Sequence, residues 1–263
     1  MNLLWAVTAV WFASAILMAL AWHHQRRTRN ATLVDACWAG GLAFAALFYG
    51  LVGEGSAWGR LFAATLGSLW GFRLCLHVLH RALSEPEDGR YAYLRAHWRN
   101  DQRKFFLFYQ AQAVLVALFS FPFAAVAWNR GLDADAWLLS GLSIWLLAVF
   151  GEWIADRQLA RWRSRPDSRG RTCREGMWRY SRHPNYFFEW LHWFAYVVLA
   201  ATSPFAWLAW LAPVLMFASL NWLTGIPYVE AQALRSRGDD YRRYQRETSR
   251  FFPWFPHQRE TNP

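Results

Sequence analysis

The chain has 263 residues, of which 55% are hydrophobic and 17% charged, with a formal net charge of +10. That is too apolar for an ordinary soluble domain, and its 19 tryptophans are a residue type that favours membrane–water interfaces. No long Pro/Gly/Ser linker and no internal repeat divides it, so the expectation is one membrane domain over residues 1–263, with a basic cytoplasmic tail over 228–263.

A transmembrane helix needs roughly 20 mostly apolar residues. Seven segments approach that length: 3–22, 31–52, 57–79, 105–128, 136–154, 186–201 and 204–226. The first lacks a basic stretch before it and carries its positive charges after it, so it reads as a retained helix and not a signal peptide. Thr202, Ser203 and Pro204 make a tight reversal between the last two. Of the 28 Lys and Arg residues, 25 fall in alternate loops and the tail. The other loops hold Arg60 and Arg130, and Arg73 lies inside a span. The positive-inside rule then puts the N-terminus outside and the C-terminus in the cytoplasm. The expected fold is an all-α, seven-transmembrane-helix bundle. Its positive charge is assigned to topology and to contact with anionic lipid headgroups, with no nucleic acid. Nine arginines between 157 and 182 exceed what orientation requires and suit a bound polyanion such as a dinucleotide phosphate.

Ionisable residues inside a span are costly and mark a site or a paired network. The third span carries Arg73, His77, His80 and Arg81 on one helical face. The fifth carries Glu152 and Asp156, and the sixth Asn185, Glu189, His192 and Tyr196. The second adds Asp35, the fourth Gln110 and Gln112, and the seventh Asn221 and Thr224. With the expected orientation these groups share one depth, which points to a cavity open to the cytoplasm. The structural alternative is interhelical hydrogen bonding, with Arg73 paired to Asp35, Glu152 or Glu189. The cysteines Cys37, Cys75 and Cys173 have neither metal-ligand spacing nor a disulfide framework.

Walker A, G-x-G-x-x-G, H-E-x-x-H and nucleophile-elbow patterns are absent from the sequence. Two polar stretches remain: Glu87-Asp88-Gly89-Arg90-Tyr91, and 176–190. Pro184 suits the first position of a helix, which would set Arg182 and His183 beside its positive end, a place to hold an anion. Arg179, Tyr180 and Arg182 add guanidinium and aromatic surfaces for phosphate and base.

The run Arg179-Tyr180-Ser181-Arg182-His183-Pro184-Asn185-Tyr186-x-x-Glu189 resembles the signature of the steroid 5-alpha-reductase family, most closely its bacterial DUF1295 branch. The likeness extends upstream to Glu152, Asp156 and Gln158, and to Glu87-Asp88-x-Arg90-Tyr91. Downstream it takes in Gly225-Ile226-Pro227 with Glu230, then Tyr241-x-x-Tyr244 and Pro253-Trp254, and it covers about residues 30–256. The resemblance implies a seven-helix membrane bundle with NADPH in a cytoplasm-facing cavity. It implies reduction of a carbon–carbon double bond conjugated to a ketone in a sterol-like lipid, here in a bacterial inner membrane.

By the same resemblance Asn185 and Glu189 sit near the nicotinamide, and Asp156 and Glu152 contact the cofactor from the fifth helix. Arg163 and Arg182 are phosphate partners, and Arg81 lines the cavity. Glu87, Asp88, Arg90, Tyr180, His183, Tyr186, Glu230 and Tyr241 complete the cofactor set. The steroid enzymes' Gln-Glu pair in the second helix and Tyr in the third have no counterpart, and Asp35 and His77 are the nearest polar candidates. Phe188 stands where the family's N-Y-F-G-E pattern has glycine. The catalytic candidates are therefore His77, Tyr91 and Asp35, with a donor such as His77 or Tyr91 polarising the carbonyl of a hydrophobic enone.

Isoprenylcysteine and phospholipid methyltransferases share Arg-His-Pro-x-Tyr, a following Glu and a Tyr-x-x-Tyr tail, and bind S-adenosylmethionine. Asn185 with Glu189 separates the reductase from them. A non-catalytic lipid-binding protein is the third possibility.

Overall fold

The computed structural model describes residues 1–223 and 225–256. It is all α-helical and divides into two compact units: Met1–Leu139 with Tyr196–Ala212, and Ser140–Ala195 with Pro213–Pro263. Among the described residues six helical segments are long and apolar enough to cross a membrane, so the protein is a multi-pass membrane protein.

In the first unit, α1 (Leu3–Thr28), α2 (Leu33–Val52), α3 (Ala57–Ser84) and α5 (Gln102–Ala127) are such segments, and the short α4 (Gly89–His97) lies between α3 and α5. α1 presents Leu4, Trp5, Phe12 and Leu20 to its surroundings at 61–72% exposure, a surface that only a bilayer satisfies. α2 and α3 pack through small residues. A Cβ added at Gly67 would lie 2.5 Å from the Ala46 Cβ, and one at Gly50 2.5 Å from the Ala64 Cβ. In a membrane such close approach substitutes dispersion contacts for a hydrophobic driving force.

The connections of this unit sort by charge. At one end Ala31 N–H donates to Glu87 (2.8 Å), and Asp88 N–H to Thr32 Oγ1 (2.9 Å). Gln25 Nε2 donates to Gln102 Oε1 there (2.8 Å). This end carries Arg26, Arg81, Arg90, Arg95 and Arg103. At the other end Ser56 N–H donates to the Asn129 carbonyl (2.9 Å), and Asn129 Nδ2 to the Leu199 carbonyl (2.8 Å). The expected reversal at 202–204 is present, with Ser203 N–H donating to the Ala200 carbonyl at 2.8 Å.

The second unit holds most of α6 (Ala136–Arg163) and α7 (Pro184–Leu199), and also α9 (Ile226–Glu247), with α8 (Leu211–Ala218) starting at its edge. The expected sixth span is shorter than a full crossing. α7 has 16 residues, about 24 Å at 1.5 Å per residue, against a hydrocarbon core of about 30 Å. The expected seventh is not one regular helix: α8 passes into a π turn at Ser219–Leu223 before α9 begins, within the segment Ala206–Glu247 that meets the crossing criteria. Thr224 and Arg259 lie outside the described residues. α9 breaks at Gly238, whose φ of 51° is open to glycine and strained for most other residues.

α6 and α7 meet through an exchange of size. A Cβ on Gly151 would lie 2.4 Å from the Phe188 ring, so the ring rests on the bare backbone of α6.

Replacing Gly67 by leucine forces α2 and α3 apart. The expected loss is about 1–3 kcal/mol by overpacking, read as a lower melting temperature of the detergent-solubilised protein.

Candidate functional site

The candidate residues form two clusters, one in each unit. In the first unit the cluster is built on α4. Asp88 caps that helix through Arg90 N–H (2.9 Å) and also accepts from Arg90 Nε (3.0 Å). Arg90 Nη2 reaches Asp35 Oδ2 on α2 at 2.8 Å, and the Tyr91 hydroxyl donates to Asp35 Oδ1. Arg81 lies 3.6 Å from Asp88 and 3.5 Å from Glu85. Glu87 is held by Arg95 (2.8 Å) and caps the start of α2 through Ala31 N–H. Burial, and then the Asp35 charge, push the Tyr91 phenol well above its usual range. Burial works against the Asp88 carboxylate, but the Arg90 hydrogen bonds and charge hold it below the ordinary aspartate value. Asp35, Tyr91, Asp88, Arg90 and Arg81 are therefore brought together, with Glu87 next to them. His77 is exposed on α3, and among the described residues no hydrogen bond or ion pair joins it to Asp35 or Tyr91.

In the second unit one carboxylate gathers the cluster. Glu230 of α9 accepts from Arg182 Nε (2.7 Å), His183 Nε2 (3.2 Å), the Tyr241 hydroxyl (3.3 Å) and Gln245 Nε2 (2.9 Å). Arg182 Nη1 also donates to the carbonyls of Gln245 (2.7 Å) and Thr248 (3.1 Å). The 179–183 loop is tied further to the tail. Ser181 Oγ donates to the Phe251 carbonyl (2.8 Å), Trp254 N–H to the Tyr180 carbonyl (2.9 Å), and the Tyr244 hydroxyl to the Trp178 carbonyl. The two sequence motifs that carried the family resemblance, 179–189 and 241–254, are thus one interlocked structure.

α6 supplies the neighbouring surface. Glu152, Asp156 and Arg163 fall at i, i+4 and i+11, on one helical face. Asn185 Nδ2 donates to Asp156 Oδ1 at 3.1 Å, joining the start of α7 to that face. Gln158 Oε1 accepts Met177 N–H (2.9 Å), and the Ala155 carbonyl accepts the Trp178 indole N–H (2.9 Å). Glu189 is half-buried on α7, and the Tyr186 ring stacks on His183 with centroids 5.5 Å apart. Tyr180 is half in solvent, edge-on to Phe255.

Where α6 ends, a cavity of about 190 Å³ is lined by Leu159, Trp162, Arg163, Ser168, Arg171 and Arg237. Arg163 and Arg237 share its lining, where the charge of one acts on the other. Among the described residues none of these three arginines forms an ion pair, and the Asp240 charge acts on Arg237 from nearby. Arg171, Arg237 and Gln245 were not singled out from the sequence. Helical spacing held the signal for one of them, since Tyr241 and Gln245 recur at i and i+4 of α9 beyond its break at Gly238.

The family described as Protein of unknown function (DUF1295) matches residues 21–248. The chain belongs to the DUF1295 family. That match runs from the last turns of α1 to the end of α9 and encloses both clusters, from Asp35 to Tyr241. A relative in Schizosaccharomyces pombe, "Uncharacterized protein C594.04c", is 28% identical over 278 aligned residues, covering 91% of this chain and 77% of that protein. No solved structure matches the chain.

Two outcomes test the Glu230 cluster. Glu230→Ala leaves Arg182, itself nine-tenths buried, without its carboxylate. The expected loss is about 3–5 kcal/mol of stability, seen as faster tryptic cleavage in the 235–250 arginines, whereas Glu175→Ala, whose ion pair with Arg165 is exposed, has little effect. Burial depresses the His183 imidazole below its ordinary pKa of 6.5, against the pull of Glu230. The unfolded chain therefore takes up this proton first, so the contribution is present above pH 6.5 and is lost as pH falls through the folded-state value. Melting temperatures measured from pH 8 to 5 are expected to fall at the acid end in the wild type, and by less in His183→Asn.

Proposed function

We propose that the protein is a membrane-embedded, NADPH-dependent reductase of a conjugated carbon–carbon double bond in a hydrophobic, sterol-like or other lipid enone. The observation that supports this best is the guanidinium-lined cavity at the end of α6, which continues the helical face bearing Asp156 and its partner Asn185. Three arginines that form no ion pair among the described residues suit a ligand that carries several phosphate charges. S-adenosylmethionine carries no phosphate and bears a sulfonium charge, so the same cavity argues against the methyltransferase alternative.

In this reading Arg163, Arg171 and Arg237 hold phosphate, and Asn185, fixed by Asp156, orients the nicotinamide end together with Glu189. Glu152, Tyr180 and Tyr186 belong to the same binding surface. Arg182, His183, Glu230 and Tyr241 act one layer behind it, since Arg182 commits its Nε and one terminal nitrogen to the tail. When bound, NADPH supplies the hydride. The first unit separately offers Tyr91 as a proton donor. Its buried phenol stays protonated at neutral pH, and Asp35 and Arg90 fix its position. The chain crosses the membrane seven times, α7 with its flanks making the sixth crossing, and the N-terminus lies outside.

Thermal shifts of the purified full chain test this directly. NADPH at 100-fold over its dissociation constant is expected to stabilise the protein by about 2.7 kcal/mol. The paired substitution Arg163→Gln with Arg171→Gln is expected to weaken NADPH binding by roughly tenfold or more, because each removes a charged hydrogen-bond donor. A shift with S-adenosylmethionine and none with NADPH overturns the reading.

A further inference from the structure

The first unit contains a cavity of its own, apart from the residues of the two clusters. It lies between α1 and α5, has a volume of about 620 Å³, and is lined by Trp22, Arg26, Gln102, Arg103, Phe106 and Leu107. The two helices run antiparallel here: Gln110 Nε2 donates to the Ala15 carbonyl (3.3 Å), and nearer the basic end Trp22 Nε1 donates to the Gln102 carbonyl (3.1 Å). Trp22 meets Phe106 edge-to-face at 5.0 Å, and the Arg26 guanidinium lies over the Trp22 ring at 4.9 Å.

The chemistry of the groove is graded along the helix axes. Its inner wall is apolar and open to the bilayer side, with Leu107 67% and Phe106 37% exposed. Its outer rim carries Arg26 and Arg103, neither of which has an ion-pair partner among the described residues. The adjacent acid, Asp101, is engaged in capping α5 through Arg103 N–H at 2.9 Å. The gradient matches the depth profile of a lipid. Residues 3–21 of α1 are apolar and span about 28 Å, close to a hydrocarbon core of about 30 Å. Trp22 follows at the interface, and Arg26 stands one turn farther out, about 6 Å, in the headgroup layer. On α5, Arg103 precedes Leu107 by one turn and repeats the order in reverse.

We propose that this groove binds one anionic phospholipid, with its phosphate between Arg26 and Arg103 and an acyl chain against Phe106 and Leu107. Two guanidiniums supply the charge that a zwitterionic or neutral lipid does not match, and the aromatic wall supplies the apolar contact that a free phosphate cannot use.

Native mass spectrometry of the full chain in mild detergent tests this, with phosphatidylglycerol and phosphatidylcholine of identical acyl chains added in equal amounts. One phosphatidylglycerol is expected to be retained in preference to phosphatidylcholine. Arg26→Gln with Arg103→Gln is expected to reduce that preference on the order of 30-fold, since each arginine near an anionic headgroup contributes about a factor of five. Arg235→Gln with Arg243→Gln removes the same net charge from exposed positions on α9 and is expected to leave the preference unchanged. Equal retention of the two lipids, occupancy by detergent or a neutral lipid alone, or an equal loss in the α9 control pair overturns the proposal.

Discussion

A single carboxylate organises the second unit. Glu230 can accept about four hydrogen bonds, and four donors from two distant stretches of chain occupy it. Two come from the loop before α7 and two from α9. The arrangement also settles the last carbonyls of α9, which a helix leaves without intrahelical partners. Arg182 takes Gln245 and Thr248, so one guanidinium both neutralises Glu230 and caps the helix that bears it. The loop and the tail therefore hold one another in place.

The first unit is held by other means. Its interior interface is steric, set by Gly50 and Gly67 against alanines, and carries little charge. Charge gathers where the helices end, and there it does the work of connecting loops: Glu87 and Asp88 cap backbone and hold arginines at once. The aspartates and glutamates of this end are therefore spent on order among the protein's own groups, which separates them from the arginines of α1 and α5 that remain exposed at the rim.

Much of this was legible from sequence where a single physical rule dominates. Length and apolarity placed the first five crossings, because nothing competes with them inside those segments. The last third resisted the same rule. Pro184 starts α7 late, the reversal at 202–204 ends it early, and Asn221 sits in a π turn where an uninterrupted helix was expected. The motif 179–189 includes the loop that Glu230 holds, but spacing could not say that Arg182 faces Glu230, since that contact joins residues 48 positions apart. Asp35 was recognised as a costly intramembrane charge. Its partners, Arg90 and Tyr91, lie on a helix that hydropathy does not register. His77, chosen on periodicity, stands on the face of α3 that the neighbouring helices leave open.

The contact of Phe188 with Gly151 has a consequence for descent. The benzyl group on α7 takes the volume that a side chain on α6 would otherwise fill. The two positions therefore obey a sum rule on size. A relative with glycine at the position of Phe188 has room for a larger residue at the position of Gly151. Compared across many members, the two columns should vary reciprocally, 37 residues apart in the chain and adjacent in the folded unit.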